Sequence, residues 1–331
     1  MLNQITDKPV LVADIGGTHT RFGLAVLDND TWLIQTCERY LSADFGTFQH
    51  ALNHYLTSLA EQGIPCPEYA GLAVAGPVQS GQVQLTNLAW QFGEQSLMRE
   101  FNFKTVALVN DIAAVASGLD STLEPKLQPL IGGSLQWQHP IAVVGIGTGF
   151  GSACLHAAKQ WVVSTEAGHQ QLAPYTPQQQ CIWQSMRLNQ PSLTVEQVLS
   201  GTGLTLLHQH WLQVHAQPPQ SLSPRQIIRQ ALECGDVTCH AVVVCFYQWL
   251  AAVLGDLVLA QGAFGGLVLT GGVLPHFVDL IEARGDFAAH FNQRNVLSGY
   301  LDQIAVLVNM EEQTALIGAA RSVTNLRSSV S

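Results

Sequence analysis

One pattern occurs twice in this chain and restricts its fold more than any other. An apolar run leads into a turn of glycine and threonine, and a second run that reads as strand follows. The first copy has Pro9 to Asp14, the turn Ile15-Gly16-Gly17-Thr18, then Thr20 to Asp28. A third strand is expected over Thr31 to Tyr40, after the turn Asp28-Asn29-Asp30. The second copy has Ile141 to Gly145, the turn Gly145-Ile146-Gly147-Thr148-Gly149-Phe150-Gly151, then Ser152 to His156 and Gln160 to Ser164. The copies lie about 130 residues apart, which reads as an internal duplication at domain scale. Because strand rather than helix follows each turn, neither is a Rossmann fingerprint. The G-x-x-x-x-G-K-[ST] of a P-loop is missing. These are hairpins whose glycines allow backbone N–H groups to approach an anion closely. Two matching hairpins could grip a polyphosphate from both sides, with Thr18 and Thr148 adding hydroxyls. An Asp14 carboxylate beside phosphates calls for a cation between them, which suggests Mg²⁺.

Composition supports backbone recognition. The chain carries a net charge of -10, and charged residues make up only 11%. It has no Lys/Arg cluster, so neither nucleic acid nor an anionic membrane surface is an expected partner. With 47% apolar residues over 331 positions, it can build one large or two medium cores. No unbroken apolar run reaches membrane-helix length, and Met1 to Lys8 lacks a signal-like apolar segment. Seven scattered cysteines without a CxxC pair are expected to be free thiols, and the location expected is the cytoplasm.

Between and after the hairpins, the pattern is alternating α/β. Helical spacing runs over Phe45 to Ala60, and strands are expected at Tyr69 to Val74, Val83 to Leu85 and Thr105 to Val109. Ile112 to Gly118 reads as helix. Later helices are expected over Thr194 to Val214, Arg225 to Glu233, Val237 to Gln261 and Glu312 to Val323. The strand Gly266 to Thr270 stops at Gly271-Gly272, a third candidate phosphate turn.

Polar residues cluster after these strands. Asn110 and Asp111 stand where a strand ends and a helix begins, the usual place for an α/β active site. Asp111 can act as the base that accepts a proton from an attacking hydroxyl, or it can simply cap the helix. Asn110 offers both a donor and an acceptor to a sugar. In Glu166-Ala167-Gly168-His169, the carboxylate can accept from two neighbouring hydroxyls. His169 and Glu196 also read as an ordinary loop histidine and a first-turn helix carboxylate. Trp90, in Thr86-Asn87-Leu88-Ala89-Trp90, could shape a sugar cleft or be partly buried.

Taken together, these segments resemble the ATP-dependent bacterial glucokinases of the actin/hexokinase/Hsp70 ATPase superfamily. The resemblance rests on Asp14 to Arg21, Leu85 to Trp90, Val109 to Ala116, Gly145 to Gly151, Glu166 to His169, Glu196 to Gly203 and Phe264 to Val273. It implies a two-domain α/β actin-like ATPase (ribonuclease H-like) fold with duplicated β-hairpin phosphate turns and a central cleft. Residues 1–122 and 311–331 would form the small domain, and 123–310 the large one. It also implies transfer of the γ-phosphoryl group of ATP to the 6-hydroxyl of glucose, with Asp111 as base. Asn87, Asn110, Glu166, His169 and Glu196 would then bind sugar. Ala13, Asp14, Ile15, Gly16, Gly17, Thr18, Gly147, Thr148, Gly149, Gly271 and Gly272 would hold the nucleotide, with Asp14 reaching Mg²⁺ through water. A homodimer is implied. Kinases for fructose, mannose or an N-acetylhexosamine, and a catalytically silent sugar sensor, are the alternatives. His19 stands where the family has Asn, and Ala167 interrupts its usual Glu-Gly-Gly-His. The zinc motif of the related repressor/kinase group does not follow His169.

Overall fold

A computed structural model describes residues 8–85, 88–188 and 190–328. Their contacts divide the chain into two units: the residues up to Asp120 together with those from Glu311 onward, and Ser121–Met310.

The first unit is organised by β1 (Val10–Ile15), a short run of aliphatic residues buried on both faces. Leu11, Ala13 and Ile15 pack with Phe48, Leu52 and Tyr55 of the helix Phe48–Glu61. Val10 and Val12 point the other way, toward Leu316, Ala319, Ala320 and Val323 of the C-terminal helix Thr314–Ser328. The strand's period of two therefore puts Asp14 on that second face. Around β1, the sheet takes the order β3-β2-β1-β4-β8, with β2 (His19–Asp28) and β3 (Thr31–Leu41) antiparallel. β4 (Tyr69–Val74) and β8 (Thr105–Asn110) run parallel to β1. A small three-stranded sheet, β5 (Val78–Gln79), β6 (Gln82–Gln84) and β7 (Gln91–Gly93), follows β4.

The C-terminal helix crosses the helix Asp111–Gly118 at backbone contact. A Cβ on Gly318 would run into the Ala114 carbonyl, and one on Gly118 into that of Thr314. Arg321 ties the same two elements together. Its Nη1 donates to the carbonyls of Ser117 at 2.8 Å and Leu119 at 3.2 Å, and its Nη2 donates to Asp120. The helix that carries Asp111 is thus clamped along its length.

The second unit repeats the plan. Its sheet has the order β12-β11-β10-β13-β14-β9. β10 (Ile141–Ile146), β13 (Gly266–Thr270) and β14 (Val306–Val308) are parallel, while β11 (Phe150–His156) and β12 (Trp161–Thr165) are antiparallel. The first five strands match the other sheet one for one, and β9 (Gln128–Ile131) is an addition at the edge. The core centres on Val237–Gln261. This helix is long and apolar enough to cross a membrane, but 78% of its most apolar window is buried inside the unit. All seven cysteines are free.

One expectation needs correction. The run Thr194 to Val214 is not one helix but two, Val195–Val198 and Gly201–Val214. Ser200 interrupts it, with extended backbone and a side chain that accepts from the Gly203 N–H at 3.1 Å, as an N-cap does. Of the two readings of Trp90, burial is the one found. The residue is 1% exposed in the core, and its Nε1 donates to the Phe45 carbonyl at 3.1 Å.

Candidate functional site

The first half-site follows from strand register. Ile15 pairs with Val74, and Val74 pairs with Asn110, so three parallel strands end in one row. The loops beyond that row share an edge: the turn Gly16-Gly17-Thr18, the bend Ala75-Gly76, and Asp111. The turn is closed by a hydrogen bond from the Gly16 N–H to the His19 carbonyl at 2.9 Å. Thr18 stands exposed at its tip.

Asn110 caps the helix Asp111–Gly118. Its Oδ1 accepts from the N–H groups of Ile112 at 3.0 Å and Ala113 at 3.2 Å. Its Nδ2 lies 3.4 Å from the Gly76 carbonyl. The side-chain oxygen is therefore occupied, one amide N–H is directed at the Gly76 carbonyl, and the side chain also hydrogen-bonds the Asp111 carboxylate, so a sugar would have to compete for the amide. The cap expected of Asp111 thus falls one residue earlier. Asp111 occupies the first helical position, and its Oδ1 accepts from the Ile112 N–H at 2.9 Å. It keeps some solvent contact, yet burial among protein atoms, reinforced by the Asp14 carboxylate, pushes its pKa up to about 7. Hydrogen bonds from nearby N–H groups only partly offset this. A carboxylate poised near neutrality is matched to general-base work.

Asp14 is held in turn by Arg21, its cross-strand partner, whose Nη2 donates to Oδ2 at 2.6 Å. Arg21 Nη1 also reaches Glu312 at 2.9 Å. No feature of the sequence pattern marks Arg21 for this part. Two carboxylates close enough to repel beside a glycine turn suit a divalent cation bound mostly by phosphate and water oxygens. Among the described residues, no group of three or more His, Cys, Asp or Glu could hold a metal alone.

The second half-site has the same strand geometry with different chemistry. Gly145 pairs with Thr270, so the turn Gly147-Thr148-Gly149 and the pair Gly271-Gly272 leave the sheet at one edge. The Gly147 N–H donates to the Gly149 carbonyl at 3.0 Å, and the Val273 N–H to the Ile146 carbonyl at 3.3 Å. Gly201, at the start of Gly201–Val214, donates its N–H to the Gly147 carbonyl at 2.7 Å. The positive end of a four-turn helix thus abuts the second turn, a contribution the sequence did not reveal.

Glu166 and His169 sit on a tight turn just past β12. Their side chains are exposed and 3.8 Å apart. That turn is pressed on the second hairpin: a Cβ on Gly168 would fall inside contact of the Phe150 carbonyl oxygen. Glu196 lies against the same hairpin, with Oε2 accepting from the Phe150 N–H at 2.9 Å. Its Oε1 is the atom left for a sugar hydroxyl. Glu166, His169 and Glu196 therefore converge on Phe150. Ala13 and Ile15 are buried strand residues that present backbone only. Asn87 lies outside the described residues.

Comparison with known proteins identifies the family. The family model described as Glucokinase matches residues 11–326. A glucokinase of Caulobacter sp. (strain K31) is 36% identical over 319 residues, covering 95% of this chain and 94% of its own length. A solved glucokinase from an Antarctic psychrotroph superposes with a TM-score of 0.84 at 36% identity, over 96% of this chain and 99% of the other. The glucokinase of Balamuthia mandrillaris, solved in complex with glucose, shares the fold with a TM-score of 0.76 at 21% identity, over 96% and 93%. Both sheets carry the actin-like ATPase topology, and the chain belongs to the glucokinase family.

Proposed function

We propose that Asp111 removes the proton from the 6-hydroxyl of glucose as that oxygen attacks the γ-phosphorus of ATP. The new O–P bond forms as the bond to the β-phosphate bridging oxygen breaks, leaving ADP and glucose 6-phosphate. The observation that carries this reading is Asp111, lifted to about 7 at the strand edge it shares with the Gly16-Gly17-Thr18 turn. The basicity of such a group is well above that of an ordinary carboxylate.

The other roles follow from chemistry. The Gly17 N–H, the Thr18 hydroxyl, and the Gly147-Thr148-Gly149 turn are suited to phosphate oxygens as charge shifts between them, with Gly16 shaping the turn rather than donating. Gly271-Gly272 would face the nucleoside side of ATP. Asp14 would hold Mg²⁺ through water, and the ion would supply charge neutralisation on the β- and γ-phosphates. Glu166 and His169, together with Glu196 Oε1 and the Asn110 amide, would take the sugar hydroxyls. Sequestration of the sugar and ATP from water would suppress hydrolysis of ATP. We also assign a homodimer in the cytoplasm, on the strength of the family resemblance.

ADP release should be measured over glucose, fructose, mannose and N-acetylglucosamine, with MgATP as donor. Glucose is expected to give the highest kcat/KM. A preference for another hexose would reassign the substrate, and sugar-independent ATP turnover would overturn the kinase reading.

A further inference from the structure

The first phosphate turn is held from behind by a residue that the strand pattern does not mark. Ser42 follows the end of β3 and is completely buried, as is Thr20 at the start of β2. The Ser42 hydroxyl donates to the Gly16 carbonyl at 2.8 Å, and its backbone N–H donates to the Thr18 carbonyl at 3.0 Å. The Thr20 hydroxyl lies 3.0 Å from that of Ser42. Since Ser42 spends its hydrogen on Gly16, Thr20 must be the donor between the two hydroxyls. A directed chain therefore runs from Thr20 through Ser42 to Gly16, each bond polarising the next in a water-free environment.

The consequence lies in the peptide planes. In a trans peptide the C=O and the following N–H point in opposite directions. Drawing the Gly16 carbonyl inward turns the Gly17 N–H outward, away from the Ser42 side and free for an external acceptor. We infer that Ser42 is a positioning residue for phosphoryl-donor binding: it orients the peptide between Gly16 and Gly17 so that the turn presents a donor to an anionic phosphate. Thr20 supports it through the buried hydroxyl pair. This deepens the proposed function and rests on the assignment of that turn to phosphate.

The test uses the full chain with MgATP and glucose. Ser42→Ala leaves the Gly16 carbonyl without its partner and frees the peptide to rotate. The expected result is a rise in KM for MgATP of about tenfold, the size of one buried hydrogen bond. The glucose dissociation constant, followed by tryptophan fluorescence without nucleotide, should stay within about twofold of the parent. Thr20→Val removes the supporting donor at nearly constant volume and should raise KM for MgATP in the same direction, by less. If Ser42→Ala does not fold, the Thr20→Val split between MgATP and glucose carries the test. Gly17→Val serves as control, because a side chain there would block phosphate approach. If Gly17→Val raises KM for MgATP while neither hydroxyl variant does, the positioning role is overturned and the phosphate turn stands. If Gly17→Val also leaves it unchanged, the phosphate assignment fails with it. Equal losses for ATP and glucose in the hydroxyl variants would mark a general structural role and overturn the inference.

Discussion

The two hairpins share strand order and parallel partners, and even the exposure of the threonine at each tip, but they differ in charge. In the first, Asp14 faces Arg21 across the strands, and Asp111 lies close enough to feel that charge. In the second, the corresponding cross-strand pair is Gly145 and Gly151, and neither carries charge. The first turn is braced by a buried serine, the second by a helix N-terminus and the Glu196 carboxylate. The two hairpins are thus equivalent scaffolds for backbone donors, and the proposed function gives the proton-transfer and cation chemistry to the first alone. The second lacks charge within its own strand pair and borders Glu196 and the turn that carries Glu166.

That asymmetry predicts unequal losses. The largest should come from Asp111→Asn, which leaves the shape intact and removes the base. Turnover should fall by about 10²–10⁴-fold with glucose binding retained, checked by ADP release and by equilibrium titration with glucose. A loss below tenfold would remove Asp111 from the role and erase the contrast between the hairpins. A smaller effect is expected in the second half-site. Gly168→Ala forces a methyl against the Phe150 carbonyl, displacing the turn that carries Glu166 and His169. Glucose affinity should weaken on the order of 10–100-fold. Unchanged affinity in a sugar titration would make that turn mere scaffold.

A third effect is a gain, in stability rather than in activity. The raised pKa of Asp111 means that its ionisation costs stability in the native state. Below about pH 4 the group is protonated whether the chain is folded or not, and the cost is absent. It grows as pH rises toward about 7, the value reached in the folded protein, and is complete above it. Asp111→Asn should therefore be more stable than the parent at pH 8, by up to about 4 kcal/mol. The difference should vanish toward pH 4, as followed by denaturant titration at several pH values. A variant less stable at pH 8 would show that the carboxylate is not held against its preference.

Much of this was legible in the sequence, for physical reasons. The hairpins announce themselves because buried strands need apolar runs and their turns need glycine. Asp111 was visible because a polar pair broke an apolar strand. Other parts depend on tertiary contact. Ser42 lies 26 residues from Gly16 in sequence, in a stretch with no periodic signal. Arg21 was part of the motif, yet only strand register reveals that it neutralises Asp14. The break at Ser200 was hidden by helical spacing on both sides. Trp90 looked like a loop aromatic because the core that covers it, including Phe48 and Phe92, is assembled from distant segments.

Direct titration of Asp111 probes the account at its centre. Carbon-13 NMR of aspartate-labelled protein, free of nucleotide, should show one carboxyl with a midpoint near 7 that disappears in Asp111→Asn. If every aspartate carboxyl titrated below about pH 5, as unperturbed groups do, no poised base would exist at the edge of the first hairpin.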